Sequence, residues 1–280
     1  METNIHSNKS YDELTFADNF LFCKILETNP DLCKQIIELL LDIQIDHLEI
    51  PQSELAMQEA IDSKSVRFDV FTKNDKQIFD LEIQTTQKTN LPQRARYYQS
   101  IIDVDNLNKG TNYSKLKHTY VIFICTKDIF SKGFPVYFFE NICREDNSLK
   151  LKDKTYKVFF NASAYAKIEN KELREFFKFL LGKEATTSLT KTLADKVDIA
   201  KKNSTWRHLY MTWQQTIDEE VEAIVESIVK DACEKASQKS IEDTSVQNAI
   251  NALKLGLSVD QVGQITGLPI GRIKELKEEL

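Results

Sequence analysis

With 280 residues, the chain is long enough to bury one full hydrophobic core and to carry a smaller appendage. Its 41% hydrophobic and 29% charged residues are ordinary for a soluble globular protein, and its longest apolar runs are too short to cross a bilayer. A net charge of −6 disfavours a protein that coats nucleic acid through bulk charge. Five scattered cysteines and four dispersed histidines disfavour a structural zinc site and fit reduced thiols in the cytoplasm.

The first part of the chain mixes helical and strand patterns. Residues 14–43 predict two helices separated at Asn29-Pro30, because proline restricts the residue before it and starts helices well. Helical spacing returns over residues 91–107. Period-2 alternation or continuous apolar runs predict five strands, at residues 65–72, 78–84, 119–125, 134–142 and 154–162. This order favours an α/β fold with a mixed β-sheet flanked by helices.

From about residue 170 the pattern is helical, and the polar composition of residues 184–204 predicts a loosening of the compact domain. We therefore divide the chain into an α/β domain, a helical extension and a small tail. Their predicted bounds are 1–185, 186–245 and 246–280.

The tail shows three short amphipathic segments punctuated by Gly256 and Gly267, with Ser258 in a position to cap a helix. This pattern predicts a small helix-turn-helix. A reader of the DNA major groove usually carries several basic or amide side chains on its second helix, but here acids cancel the basic residues. DNA recognition and helical packing or self-association are therefore both interpretations of the tail.

One face of the predicted hairpin at residues 65–84 carries acids and an amide. Asp80, Glu82 and Gln84 occupy every second position of its second strand, and Asp69 lies in its first. Opposed residues of an antiparallel pair point to the same face. A turn of even length places Asp69 opposite Glu82 or Asp80, whereas an odd one would bury its carboxylate among apolar side chains. We therefore predict that Asp69, Glu82 and Gln84 share a face.

Two neighbouring carboxylates repel each other unless a cation lies between them. Mg²⁺ suits this arrangement because it takes one or two carboxylates together with waters and phosphate oxygens, and Mn²⁺ could replace it. A bound ion would lower the pKa of a water and polarise a phosphodiester, which indicates hydrolysis. The alternative is a solvated strand face, since strands with one wet face routinely carry Asp, Glu and Gln.

A local basic patch follows the hairpin, at residues 88–118, where six basic residues stand against two acidic ones. The basic residues are Lys88, Arg94, Arg96, Lys109, Lys115 and Lys117. Three tyrosines beside them, Tyr97, Tyr98 and Tyr113, could stack on bases or pack at the edge of the core. If the chain binds DNA, this patch is the predicted surface.

Several segments resemble the Rpn family of recombination-promoting nucleases, also called PD-(D/E)XK nuclease family transposases. They include "LTFADNFLFCKILETNPDLCKQIIELLL", "DSKSVRFDVF", "FDLEIQTTQKTNLPQRARYYQ" and "NSTWRHLYM", and the resemblance covers roughly residues 12–213. It implies a restriction-endonuclease-like α/β/α core. It also implies an endonuclease that cleaves DNA with Mg²⁺ and takes part in recombination or transposition.

The resemblance assigns roles to the acidic face and the helix that follows it. Asp69 and Glu82 match the metal-binding acids, and Gln84 stands where most of the wider superfamily has lysine, so it would orient water or substrate by hydrogen bonding. Arg94 and Tyr98 match an R-x-x-x-Y pattern. With Lys88, they are expected to bind the substrate phosphate; a capped, partly buried helix face is the alternative for Arg94 and Tyr98.

Two further aspartates have weaker assignments. Asp18 matches an acidic position in the first helix of the family, from which it would approach the metal; an aspartate that favours the helix N-terminus is the alternative. Asp80 lies outside the family motif, and we expect it to be solvated or to contact the metal ligands.

The sequence thus predicts a cytoplasmic, Mg²⁺-dependent deoxyribonuclease that acts as an endonuclease. Two alternatives belong to other classes of protein: a catalytically silent DNA-binding module, and a helical assembly protein that does not bind nucleic acid. Homo-oligomerisation through the C-terminal helices is a further expectation.

Overall fold

The computed structural model describes residues 9–57 and 66–280 of the chain. Contacts between residues divide the chain into two compact units between Tyr210 and Met211. The predicted division of the chain into residues 1–185, 186–245 and 246–280 is a different one, and it remains a prediction.

A six-stranded mixed sheet forms the centre of the unit that ends at Tyr210. Its strands are β1 (Gln52–Met57), β2 (Val66–Lys73), β3 (Gln77–Gln84), β4 (His118–Cys125), β5 (Val136–Phe139) and β6 (Thr155–Asn161). Their spatial order is β1-β2-β3-β4-β6-β5. The pairs β3–β4 and β4–β6 are parallel, and the other neighbours are antiparallel. The predicted mixed sheet is confirmed, and each of the five predicted strands is present.

Helices flank this sheet, also as predicted. They are α1 (Asn19–Thr28), α2 (Pro30–Leu41), α3 (Leu91–Asp105), α4 (Lys171–Leu180) and α5 (Ser188–Lys201). A further helix, α6 (Ser204–Lys254), begins at the end of this unit, and most of it belongs to the other one. The break between α1 and α2 falls at Asn29, whose side-chain Nδ2 donates to the Ile25 carbonyl at 2.8 Å while Pro30 opens α2. None of the helices in the described residues is long and apolar enough to cross a bilayer.

Both faces of the sheet are covered. On β4, Val121 and Phe123 pack in the cluster beneath α3, and Ile122, which alternation points the other way, is equally inaccessible. On the second face, Phe160 of β6 meets Phe177 of α4 with ring centroids 5.9 Å apart. The central strands are therefore buried on both sides, and any polar side chain on them lies inside the protein.

The sequence analysis did not predict β1, and it expected residues 184–204 to loosen. The strand β1 has a mostly polar sequence, and its pairing with β2 defines it rather than its own pattern. Helix α5 is firmly packed, because Leu193, Val197 and Ala200 recur at helical spacing and are buried. Two of the polar residues that suggested loosening, Thr187 and Thr190, are themselves buried and form the capping box that starts α5.

The unit that begins at Met211 contains most of α6 and two short helices, α7 (Val259–Thr266) and α8 (Ile270–Glu278). Its small core holds Ala249, Val262, Ile273 and Leu276. Ser258 caps α7 in a capping box with Gln261, as predicted for Ser258. Gly267 ends α7 with a φ of +71°, a conformation that favours glycine. The end of α6, α7 and α8 thus pack around one small core, and the helix-turn-helix interpretation of the tail remains a prediction.

Candidate active site

The turn between β2 and β3 determines which residues of the two strands face each other. The Asn74 N–H donates to the Gln77 carbonyl at 2.9 Å, with Asp75 and Lys76 between them. The Asn74 side chain accepts hydrogen bonds from the N–H groups of Lys76 and Gln77 at 2.9 and 2.8 Å, which closes the turn. The loop is therefore even in length, which was the condition for Asp69, Glu82 and Gln84 to share a face.

The register of this hairpin brings Asp69 opposite Glu82. Val70 and Leu81 form the last regular pair of the β2–β3 ladder. At the next position, the Asp69 N–H donates to Glu82 Oε1 at 2.9 Å, and the Ile83 N–H donates to Asp69 Oδ2 at 3.0 Å. Side-chain carboxylates thus replace backbone carbonyls as acceptors, and each acid is held against the backbone of the opposite strand.

The backbone of β2 is irregular where Asp69 lies. Phe68 and Phe71 both pack in the cluster beneath α3 although they are three residues apart, whereas strict alternation would send them to opposite faces. The pairing of β2 with β1 has the same register on both sides of Asp69, so no residue is inserted there and the change is a local one of side-chain direction. The irregularity lies at the candidate metal ligand, where the regular ladder also ends.

Helix α3 places the guanidinium group of Arg94 against the carboxylate of Glu82. Arg94 Nη2 donates to Glu82 Oε2, and Arg94 Nε donates to the Tyr98 hydroxyl at 2.7 Å. The Tyr98 hydroxyl in turn donates to the Arg67 carbonyl at 3.3 Å. The guanidinium carbon lies 5.5 Å from the centroid of the Phe123 ring, so an aromatic face also stabilises the charge. The predicted R-x-x-x-Y pair is therefore part of a buried helix face that is turned toward Glu82, and phosphate binding by it remains a prediction.

The electrostatics of Glu82 combine opposing effects. Glu82 is 1% exposed. Burial and the nearby Asp69 charge raise the pKa of Glu82 to about 8, although Arg94 acts in the opposite direction. Glu82 therefore binds a proton much more readily than an ordinary glutamate, and a second cation at the site would favour its charged form.

Asp80 is the most deeply buried acid of the site. It is 0% exposed, and neither of its carboxylate oxygens has a hydrogen-bond partner among the described residues. Burial, followed by the charges of Glu82 and Asp69, raises the pKa of Asp80 well above its ordinary value. The expectation of a solvated Asp80 is wrong, and so is the solvated-face interpretation of the β3 acids, because α3 covers this face.

Gln84 and Lys88 follow the acids along the chain. Gln84 is buried, and its Nε2 donates to the Thr86 carbonyl at 3.0 Å and to the Thr86 hydroxyl at 2.7 Å. Its amide hydrogens are therefore used to anchor the segment after β3, and orientation of water or substrate by Gln84 remains a prediction. Lys88 lies farther along that segment, partly exposed, between β3 and α3.

Asp18 has structural partners of its own. It precedes α1, and its carboxylate accepts hydrogen bonds from Lys9 Nζ at 2.8 Å and from the Thr15 N–H at 2.7 Å. These contacts close the turn that leads into α1. They favour the helix-start interpretation of Asp18 over an approach to the metal.

The donor set of the site fits a hard divalent cation. Within the described ranges, no group of three or more His, Cys, Asp or Glu side chains is arranged to hold a metal ion. Mg²⁺, however, needs only one or two carboxylates beside waters and phosphate oxygens, and Asp69 and Glu82 supply two. The unpartnered oxygens of Asp80 add negative charge that a cation or a proton would balance.

Comparison with known families agrees with this arrangement. A family model described as PD-(D/E)XK nuclease family transposase matches residues 18–232, more than half of the chain. The chain belongs to this family. Comparisons with curated proteins and with solved structures give no match. The PD-(D/E)XK nuclease family transposase match includes the hairpin, α3 and the sheet, and it supports a nuclease- or transposase-related role. Nucleases of this type generally use divalent metal ions.

Sequence reasoning about this PD-(D/E)XK nuclease family transposase missed two features of the site. One is the burial of Asp80, which the apolar run of the neighbouring strand β4 could have signalled, because a strand beside it would be covered too. The other is the contact of Thr86 with Gln84, for which the sequence offers no signal.

Proposed function

We propose that the chain is a metal-dependent endonuclease that hydrolyses phosphodiester bonds in DNA. The observation that carries this proposal is the pairing of Asp69 and Glu82 across the end of the β2–β3 ladder, in a chain that belongs to a nuclease family. The Asp69 charge contributes to the raised pKa of Glu82, and carboxylates that repel each other in this way are disfavoured without a cation. The free-energy cost of placing two carboxylates together is explained if the site binds a cation.

The roles proposed for the side chains follow from their positions. Asp69 and Glu82 would hold Mg²⁺, or Mn²⁺ in its place. When bound, the ion supplies a water of lowered pKa and stabilises charge on the phosphate. Arg94, which already contacts Glu82, is the nearest fixed cation in the site and would take over the electrostatic role that lysine has in the wider superfamily.

DNA is the proposed substrate, and recombination or transposition the proposed context, because of the family. The basic patch supports the choice of substrate. Arg96, Lys109 and Lys115 are exposed on α3 and on the segment that follows it, and Tyr113 beside them is 79% exposed. A cationic surface with an accessible aromatic ring suits a nucleic acid backbone and its bases.

Plasmid nicking tests the proposal. Purified protein with supercoiled DNA should produce open circles in Mg²⁺ or Mn²⁺ but not in EDTA. Asp69→Asn and Glu82→Gln should abolish nicking and should lose the thermal stabilisation by Mg²⁺ that the wild type shows. Asp103→Asn is a matched control, because Asp103 is also a half-buried carboxylate whose pKa burial raises, but its side chain bonds Gln99 instead.

A catalytically silent DNA-binding module is the second candidate. It is favoured by the engagement of Glu82 with Arg94 and of Gln84 with Thr86. In that case the protein would bind DNA with salt-dependent affinity, no metal would stabilise it, and neither acid variant would change its affinity for DNA. Nicking that survives both acid substitutions would contradict the proposed site.

A further inference from the structure

The middle of α6 carries a stripe of seven positions whose spacing is symmetric about its centre. Successive positions lie four, three, four, four, three and four residues apart, and at about 100° per residue they stay within an arc of about 80°. The positions are Ile217, Val221, Ile224, Ile228, Ala232, Lys235 and Lys239. An eleven-residue period of this kind is typical of helices that pair along their length.

The apolar members of this stripe are accessible. Ile228, at its centre, is 62% exposed, and Val225 beside it is 51% exposed. Ile217, Val221 and Ile224 are partly exposed. Apolar side chains that line up on one exposed helix face mark a surface that binds a partner.

The charges of the two halves of the stripe are opposite in character. Residues 217–228 contain five acidic and no basic side chains, whereas residues 229–239 contain three lysines and two acids. Two of these lysines, Lys235 and Lys239, lie on the stripe itself. The stripe is therefore apolar and flanked by acids at its N-terminal end, whereas its C-terminal end carries the small side chain of Ala232 and two lysines.

We infer that this stripe binds a second copy of the same chain, with the two α6 helices antiparallel and Ile228 at the two-fold axis. Because the spacing is symmetric about Ile228, each stripe position then meets a stripe position of the partner helix. Lys239 comes level with Ile217 and its neighbour Asp218, and Lys235 comes level with Val221 and its neighbour Glu222. Each lysine can lay its aliphatic stem on an apolar side chain and direct its ammonium to an acid.

A parallel pair in register is disfavoured by the same residues. It would place Lys235 against Lys235 and Lys239 against Lys239, while the acidic halves would lie side by side. Like charges that face each other repel, which makes the parallel arrangement unfavourable. The charge pattern therefore selects the antiparallel second copy as the occupant of this face.

The association state of the full chain tests this inference. Sedimentation velocity should show a dimer at tens of micromolar, and Ile228→Asp should make the chain monomeric. Ile199→Asp is the matched control, because Ile199 on α5 is also an isoleucine that is 62% exposed, and this variant should remain dimeric. A wild type that stays monomeric over this range would overturn the inference.

Charge exchange tests the pairing of Glu222 with Lys235. Glu222→Lys and Lys235→Glu should each weaken dimerisation about tenfold, and the double exchange should restore it, because the attractive pair is rebuilt with its signs reversed. Failure of the double variant to recover would contradict the antiparallel register.

Disulfide trapping determines the orientation, in a chain whose Cys143 and Cys233 are replaced by serine. Chains carrying Val221→Cys, mixed with chains carrying Lys235→Cys, should cross-link on oxidation, since these positions face each other. Val221→Cys alone should not cross-link, because the two copies of residue 221 would lie about 21 Å apart along the helices, beyond the reach of a disulfide. Cross-linking of Val221→Cys with itself would show another register or a parallel pair, and would overturn the inference.

Discussion

Arg94 binds the carboxylate of Glu82 from α3, and it does so at a position where the glutamate side chain is only 2% exposed. Removing one partner of a buried ion pair leaves the other charge without compensation, which typically costs about 3–5 kcal/mol. We expect Arg94→Ala to lower the free energy of unfolding by the lower end of that range, since the Arg94 side chain itself is 24% exposed. Urea unfolding in EDTA measures the change, at a pH above the raised pKa of Glu82 of about 8, where the carboxylate is charged.

The double variant Arg94→Ala/Glu82→Gln should recover much of this loss, because no unpaired charge is then left inside. Arg272→Ala serves as the control, because the Arg272–Glu275 pair is about half exposed and such pairs contribute about 0–1 kcal/mol. Equal losses for Arg94→Ala and Arg272→Ala would show that the Glu82 site is far more hydrated than its burial indicates.

The raised pKa of Glu82 predicts how stability depends on pH without metal. The ordinary pKa of glutamate is 4.5, and burial and Asp69 raise that of Glu82 to about 8, so between these values the folded state binds a proton that the unfolded state has lost. The contribution of Glu82 to the free energy of unfolding is therefore fully present below pH 4.5 and is lost as the pH rises toward 8, by up to about 1.4 kcal/mol per pH unit.

Denaturation at several pH values in EDTA measures this effect, with Glu82→Gln as the reference, because glutamine does not titrate. The difference in unfolding free energy between wild type and variant should shift steadily in favour of the variant as the pH rises. Affinity for Mg²⁺ should increase over the same window, since a cation competes with the proton. A difference that does not change with pH would indicate that Arg94 keeps Glu82 charged throughout.

The sequence predicted the parts of this site that follow from period and register. The alternation in β2 and β3, together with a turn of even length, predicted that Asp69 lies opposite Glu82 or Asp80, and the structure selects Glu82. The sequence did not predict that Glu82 would be buried, because burial of an acidic strand face depends on where α3 lies. A local pattern of Asp80, Glu82 and Gln84 looks the same on a wet edge strand and on a covered central strand.

The irregularity at Asp69 and the strand β1 were not predicted, for a related reason. Both depend on tertiary contacts rather than on local preference: β1 is defined by its pairing with β2, and the loss of alternation between Phe68 and Phe71 is visible only from the cluster that they share. The bounds of α3 and the break between α1 and α2 were predictable to within a few residues because proline and amphipathic spacing are local signals, whereas the bounds of α4, α5 and α6 were not predicted.

Asp80 should destabilise the metal-free protein at alkaline pH. Its carboxylate has no hydrogen-bond partner among the described residues, and burial raises its pKa, so it loses its proton at an energetic cost in the folded state. Asp80→Asn should increase the free energy of unfolding at pH 8 by about 1–3 kcal/mol, because the amide can donate to Glu82. The gain should be smaller at pH 5, because a group whose pKa is raised in the folded state makes the protein lose stability as the pH rises.

Thermal and urea unfolding at both pH values in EDTA provide the comparison, and Asp128→Asn is the contrasting variant. Asp128 accepts hydrogen bonds from the Gly133 N–H and from the Tyr137 hydroxyl, so its loss should destabilise the protein at pH 8. If Asp80→Asn were also destabilising at pH 8, the Asp80 carboxylate would have to bind a hydrogen-bond donor or a cation in solution.

Substitutions of Gln84 separate anchoring from electrostatics. Gln84→Ala removes two hydrogen bonds to Thr86 and should lower the free energy of unfolding by about 1–2 kcal/mol. Gln84→Glu should be worse, because it loses the donors and adds a negative charge to a buried group of acids. Gln84→Lys should be the best tolerated of the three, since an ammonium can still donate to Thr86 and offsets the charges of Glu82 and Asp80. Urea unfolding in EDTA ranks the variants, and equal losses for the glutamate and lysine variants would show that the field of the acids does not reach residue 84.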